Sequence, residues 1–130
     1  MPEYKVGDFQ YSGGTKHMPT ATIGIIMPDG SERVDAAEGN GPVDALVKAI
    51  ERILMIKIEV IGFSIDALDL GSSAKGEVVA RIRCNGFEHR GVGDGTDIIV
   101  ASARAMVNAL SNPSVPSEPS ISAYEHVVGR

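Results

Sequence analysis

At 130 residues the chain has the length of one domain, enough to bury a continuous core but short for an enzyme that must hold two substrates. Hydrophobic residues make up 43% and charged residues 22%, as in ordinary soluble domains, while 5% aromatics and no Trp leave the core to Ile, Val, Leu, Met and Ala. A net charge of −5 with scattered Lys and Arg argues against nucleic acid, and no apolar run approaches the roughly 18 residues of a membrane span.

Residues 3–11 (EYKVGDFQY) and 18–28 (MPTATIGIIMP) read as strands rich in Tyr, Phe, Thr and Ile, with Ser12-Gly13-Gly14-Thr15 as the turn between them. Asp29-Gly30 is a strong two-residue hairpin signal, because Gly accepts the positive φ of a type I′ turn, and it leads into a third strand at 31–38. The period then changes. Val43, Leu46, Val47, Ile50, Ile53 and Leu54 form the stripe of a half-buried helix, and Pro42 suits its first position, where a missing N–H costs nothing.

The pattern recurs. A long strand at 57–70 sets Ile58, Val60, Gly62, Ser64 and Asp66 on one face and Ile61, Phe63, Ile65 and Ala67 on the other, and Gly71-Ser72-Ser73 breaks it. Strands at 76–84 and 87–92 flank Asn85-Gly86, the other strong type I′ dipeptide, and a second helix follows over 96–110. Gly39-Asn40-Gly41 precedes the first helix and Gly93-Asp94-Gly95 the second, 54 residues on, while the hairpin dipeptides lie 56 apart. Shared order at near-constant spacing points to a duplicated βββα unit. One such unit cannot close a core; two give an α+β sandwich of antiparallel sheet and helices, with the helices on one side. The expected organisation is one domain over 1–112, with repeats at about 3–55 and 56–112. A Pro/Ser-rich tail at 113–130 follows, whose Tyr124, Val127 and Val128 could dock on the body or on a partner.

Catalytic patterns are missing. His17, His89 and His126 fall on separate elements, no H-x-H, H-E-x-x-H or C-x-x-C spacing offers a metal site, and no G-x-S-x-G elbow is present. A lone Cys84 has no internal disulfide partner, which suits a reducing cytosol; a reactive thiol there would lack any His or Lys within three residues. The polar start MPEYKVGDF is no signal peptide, so a cytoplasmic location is expected. The two Gly-x-Gly turns admit two readings. Either they cradle an anion against the free N–H groups of a helix start, or Gly simply makes the strand-to-helix corner. Neither a P-loop nor a dinucleotide fingerprint is present.

The run E-G-N-G-P-V-D-A (Glu38 to Ala45) with G-x-G-T-D-I-I-x-A-S-A (Gly93 to Ala103) resembles the C-terminal allosteric domain of 2-isopropylmalate synthases and the related citramalate synthases. Tyr4-Lys5-Val6 and Phe9-Gln10-Tyr11-Ser12 fit the first strand of that domain, and the likeness runs from about residue 3 to 112. The resemblance implies a duplicated βββα domain that pairs as a homodimer and binds an end-product amino acid, leucine or isoleucine, near the dimer interface. It also implies a metal-dependent catalytic barrel preceding this domain, so no catalysis and no cofactor are expected of this fragment alone. Carried over by motif, Gly41, Val43 and Asp44 would lie at the effector, Val60, Phe63 and Ala67 would supply apolar contacts, and Gly93, Asp94 and Gly95 would form the equivalent turn of the second unit. Phe63 stands where relatives often carry Tyr, so a hydroxyl contact to the effector would be lost. An independent small-molecule-binding protein of this fold, or a dimerisation domain without a ligand, are the competing expectations.

Overall fold

The computed structural model describes residues 3–14, 17–67, 76–112 and 115–116. Along them run β1 (Lys5–Gly14), β2 (His17–Ile26), β3 (Glu32–Glu38), α1 (Pro42–Leu54), β4 (Glu59–Ala67), β5 (Gly76–Cys84), β6 (Phe87–Gly95), α2 (Ile98–Ser111) and a two-residue β7 (Val115–Pro116). Strand, strand, strand, helix therefore occurs twice, as the hydrophobic periodicity requires. All pairings are antiparallel, in two separate sheets ordered β1-β2-β3 and β4-β5-β6-β7. The strand β7 falls in the expected linker; Gly71-Ser72-Ser73 and Tyr124, Val127 and Val128 lie outside the described residues.

Each helix packs on its own sheet, α1 on β2 and β3, α2 on β5 and β6, and α2 also reaches β1. The helices also touch each other. One apolar cluster takes in both sheets' inner faces and both helices, with Ile23, Ile25, Leu46, Ile50, Ile82 and Met106 fully buried. Burying each such side chain contributes on the order of 1.5–3 kcal/mol. Arg104 and Asn108 on α2 and Asn112, its C-cap, donate to the carbonyls of Asp94, Val92 and Arg90 at 2.8, 2.8 and 2.6 Å. With β7 paired at Phe87 and Glu88, these bonds cover the outer edge of β6 and keep it from recruiting another strand.

The two hairpins differ. Asn85 and Gly86 both take positive φ, 54° and 81°, as a type I′ turn requires. At Asp29-Gly30 only Gly30 does, at 89°, and the loop is the three-residue Pro28-Asp29-Gly30. Gly30 N–H donates to Met27 O at 2.9 Å and Met27 N–H to Ser31 O at 2.7 Å, a type I turn with a following bulge. Pro28 is the reason: a two-residue loop would need an N–H from it, and it has none. Strand β1 also continues through Ser12 and Gly13 to Gly14, where a turn was expected, with its register shifting between Ser12 and Gly14.

The second glycine triplet is a further correction. Gly93, Asp94 and Gly95 are not a turn but the last residues of β6, opposite Val78, Glu77 and Gly76. Gly93 lies directly beneath α2, where a Cβ would collide with the backbone of Ala101 and Ala105. The corner itself falls at Thr96-Asp97, so α2 begins 56 residues after α1, the hairpin spacing rather than the glycine spacing.

Candidate functional site

The first turns of α1 and α2 come together under β4 and enclose a pocket of about 130 Å³. Pro42, Val43 and Leu46 line it from α1, Ile98, Ile99 and Ser102 from α2, and Phe63 and Ile65 from β4. Strict alternation would put Val60 and Phe63 on opposite faces. A bulge corrects this: Val60 pairs with Ile82 and Gly62 with Arg81, leaving Ile61 unpaired, so Val60 and Phe63 both turn inward. The first unit repeats the device, with Val6 opposite Ile25 and Phe9 opposite Ile23 across a register shift. Ile65 is 49% exposed and forms the lip.

The lining is almost wholly apolar. Its one hydroxyl, Ser102 Oγ, is spent on Ile98 O at 2.7 Å. Polarity enters at the helix starts, and these are unequal. Asp97 caps α2, its Oδ1 accepting from Ile99 N–H at 2.8 Å and Val100 N–H at 3.3 Å. The N-cap of α1 is Gly41, which has no side chain to offer, and the first intrahelical bond is Ala45 N–H to Gly41 O at 2.9 Å. The amides of Val43 and Asp44 are therefore left without an acceptor among the described residues.

Asp44 sits in that first turn but outside the pocket lining. Its Oδ2 accepts from Asn40 N–H at 2.8 Å and meets Lys48 Nζ at 3.1 Å. The Asn40 amide first, then Lys48, hold its carboxyl below the ordinary carboxylate range. Gly41 is extended, at φ −171°, and a Cβ on it would meet nothing within 4 Å. Val60 packs partly buried against the core one turn of the bulge away, and Ala67 ends β4 opposite Gly76. Asp94 contributes its carbonyl to Arg104, and Gly93 and Gly95 stay in β6. Of the residues singled out from sequence, the pocket thus gathers Val43 and Phe63. Among the described residues no three His, Cys, Asp or Glu side chains come together as a metal site, and no helix is long and apolar enough to cross a membrane.

Residues 2–113 match a family model described as the LeuA allosteric (dimerisation) domain. The chain belongs to this family. Among its relatives, the 2-isopropylmalate synthase of Gloeobacter violaceus is 49% identical over 112 residues, which cover 85% of this chain and 21% of the relative. That of Microcystis aeruginosa is 52% identical over 102 residues, 78% of this chain and 19% of the relative, and that of Picosynechococcus sp. 44% over 114 residues, 88% and 21%. The chain spans about a fifth of the length of these relatives.

Within this LeuA domain the pocket residues that motif reading overlooked are Pro42, Leu46, Ile65, Ile98, Ile99 and Ser102. A signal for three of them was present. Aligning the units on their hairpins, at 56 residues, sets Ile98 on Pro42, Ile99 on Val43 and Ser102 on Leu46, whereas aligning on the glycine triplets shifts every one of these by two.

Proposed function

We propose that this domain senses leucine as the end product of a 2-isopropylmalate synthase, acting as a homodimer on a metal-dependent catalytic barrel that precedes it. The observation that carries the reading is the apolar 130 Å³ pocket opening beside the uncapped start of α1. A leucine side chain fits such a pocket by chemistry, and its burial contributes on the order of 2–3 kcal/mol. The effector carboxylate would take the free Val43 and Asp44 amides, favoured by the helix dipole. Its ammonium would face Asp44, whose Oδ2 is engaged and whose Oδ1 has no partner among the described residues.

The family's description as a dimerisation domain supports the pairing, and relatives named as 2-isopropylmalate synthases support leucine over isoleucine, the effector were the parent a citramalate synthase. A thermal-shift screen of leucine, isoleucine and valine tests the proposal. Saturating leucine at about 100 times its Kd should raise stability by about 2.7 kcal/mol. A larger shift with isoleucine would assign the citramalate reading. No shift with any of them would leave a dimerisation module without a ligand.

A further inference from the structure

Set 56 residues apart, the two helices agree at most of their buried positions: Ala45 falls on Ala101, Ala49 on Ala105, Ile50 on Met106 and Leu54 on Leu110. Three buried positions lose bulk in α2, where Leu46, Val47 and Ile53 are answered by Ser102, Ala103 and Ala109. At Ala109 the reason is close packing, since Gly91 lies against its backbone where α2 sits tight on its own sheet. No such approach explains Ser102, because the glycines beneath α2 meet Ala101, Arg104, Ala105 and Ala109. Of the three, Ser102 alone lines the apolar pocket between the helix starts.

The hydroxyl that replaces the leucyl group does not replace its packing. Ser102 is 3% exposed, and its Oγ donates to Ile98 O at 2.7 Å, so its one proton is spent within its own helix. The likeness of the units also breaks at this point in the sheets. Helix α2 packs on β1 of the other unit, whereas among the described residues α1 makes no comparable contact with β4. The pocket occupies that gap, with Val43 and Leu46 on one side and Phe63 and Ile65 on the other. Apolar cavities of about 150 Å³ take up molecules of benzene's size. A hollow of about 130 Å³ therefore suits one branched four-carbon chain.

We propose that Ser102 selects the effector by size. Its short side chain leaves open in the second unit the place that Leu46 fills in the first, and the branched aliphatic side chain of one amino acid completes α2 as Leu46 completes α1. The inference rests on reading the pocket as an effector site, and it adds the residue that measures the effector's volume.

Titration calorimetry with leucine and with valine, accompanied by melting curves, compares the parent chain with Ser102→Val and Ser102→Leu. In Ser102→Leu the new side chain takes the effector's place, so leucine should bind about tenfold or more weakly while the melting temperature holds or rises. In Ser102→Val the hollow is only reduced, and the ratio of leucine to valine affinity should fall by about threefold or more. Parent-like leucine affinity in Ser102→Leu overturns the proposal, and so does an unchanged ratio in Ser102→Val, which decides the matter if Ser102→Leu melts low. A tenfold loss in Ser102→Ala, which keeps the space and removes the hydroxyl, would assign the role to the hydroxyl and overturn it too. A parent chain that binds neither amino acid removes the sensing reading but not this one. In that case 3-methylbutan-1-ol is the probe: methyl NMR shifts at Ile98 and Ile99 in the parent that vanish in Ser102→Val support the vacancy, and no shifts in the parent sink it.

Discussion

Ser111 Oγ accepts the backbone N–H of Tyr4 at 2.8 Å, tying the last turn of the second unit's helix to the chain just before the first unit's opening strand. The second unit returns the tie, with Ile58 N–H donating to Glu51 Oε2 of the first unit's helix at 2.8 Å. Each unit thus fastens its first strand to the other's helix. That reciprocity is why two half-domains that could not stand alone form one body.

Ser111→Ala removes this acceptor and leaves a part-buried amide unpaired, so it should cost about 1 kcal/mol. Urea unfolding measures the loss, and hydrogen exchange at the Tyr4 amide should quicken with it.

Gly93→Ala and Gly41→Ala should behave very differently although both sit in a glycine triplet. At Gly93 a methyl meets the α2 backbone at Ala101 and Ala105, which cannot yield cheaply, and the loss should be about 2 kcal/mol or more. At Gly41 the φ is extended and the space open, so the expected change is within about 1 kcal/mol, the difference between Gly and Ala as N-caps. Thermal melts of the two variants decide whether the triplets share a role.

Asp44 has a pH signature. Its folded pKa lies below the ordinary carboxylate value of 3.8, first through the Asn40 amide and then Lys48, so it contributes stability that is present above 3.8 and lost as the pH falls through the folded value. The side chain is 39% exposed, which keeps the contribution small, roughly 0.3–1 kcal/mol at low salt. Asp44→Asn should therefore lower stability slightly at neutral pH and flatten the acid limb of the stability curve. An unchanged acid limb would show that the carboxylate closes nothing.

The same substitution bears on the effector. If Asp44 Oδ1 holds the ammonium, Asp44→Asn should weaken leucine binding by about 1.5–3 kcal/mol, ten- to over a hundredfold, while the fold persists. Ile99→Ala, which enlarges the apolar pocket without touching the polar end, should weaken it by about 1–3 kcal/mol. Titration calorimetry on both variants separates the ends of the site. Parent-like affinity in Asp44→Asn would assign the ammonium to backbone carbonyls.

Asp97→Ala should cost about 0.5–2 kcal/mol, because Ile99 and Val100 lose their acceptor. It also uncaps α2 beside the pocket and makes the two helix starts alike. Stability follows from a denaturant titration, and calorimetric stoichiometry shows whether a second effector is then taken up.

The twofold βββα order, both helices and their apolar faces, and membership of the LeuA family were legible in the residues, because each depends on local signals. A 3.6-residue stripe, a Gly able to take positive φ, and a Pro at a first helical position act within a few residues of themselves. The site was legible only in part. Val43 and Phe63 both line the pocket, but Phe63 shares a face with Val60 only through the unpaired Ile61, and a bulge leaves no mark in a hydrophobic pattern. Pro28 changed the first hairpin by lacking one N–H, and Gly93 was drawn into β6 by how close α2 lies over it. Which helix start stays open, and that Pro42, Ile98 and Ile65 meet around one small cavity, was decided by packing between residues far apart in the chain. Local chemistry determines what each segment becomes; only the tertiary structure, where excluded volume and the pairing of buried polar groups act across the whole molecule, determines which side chains face one another.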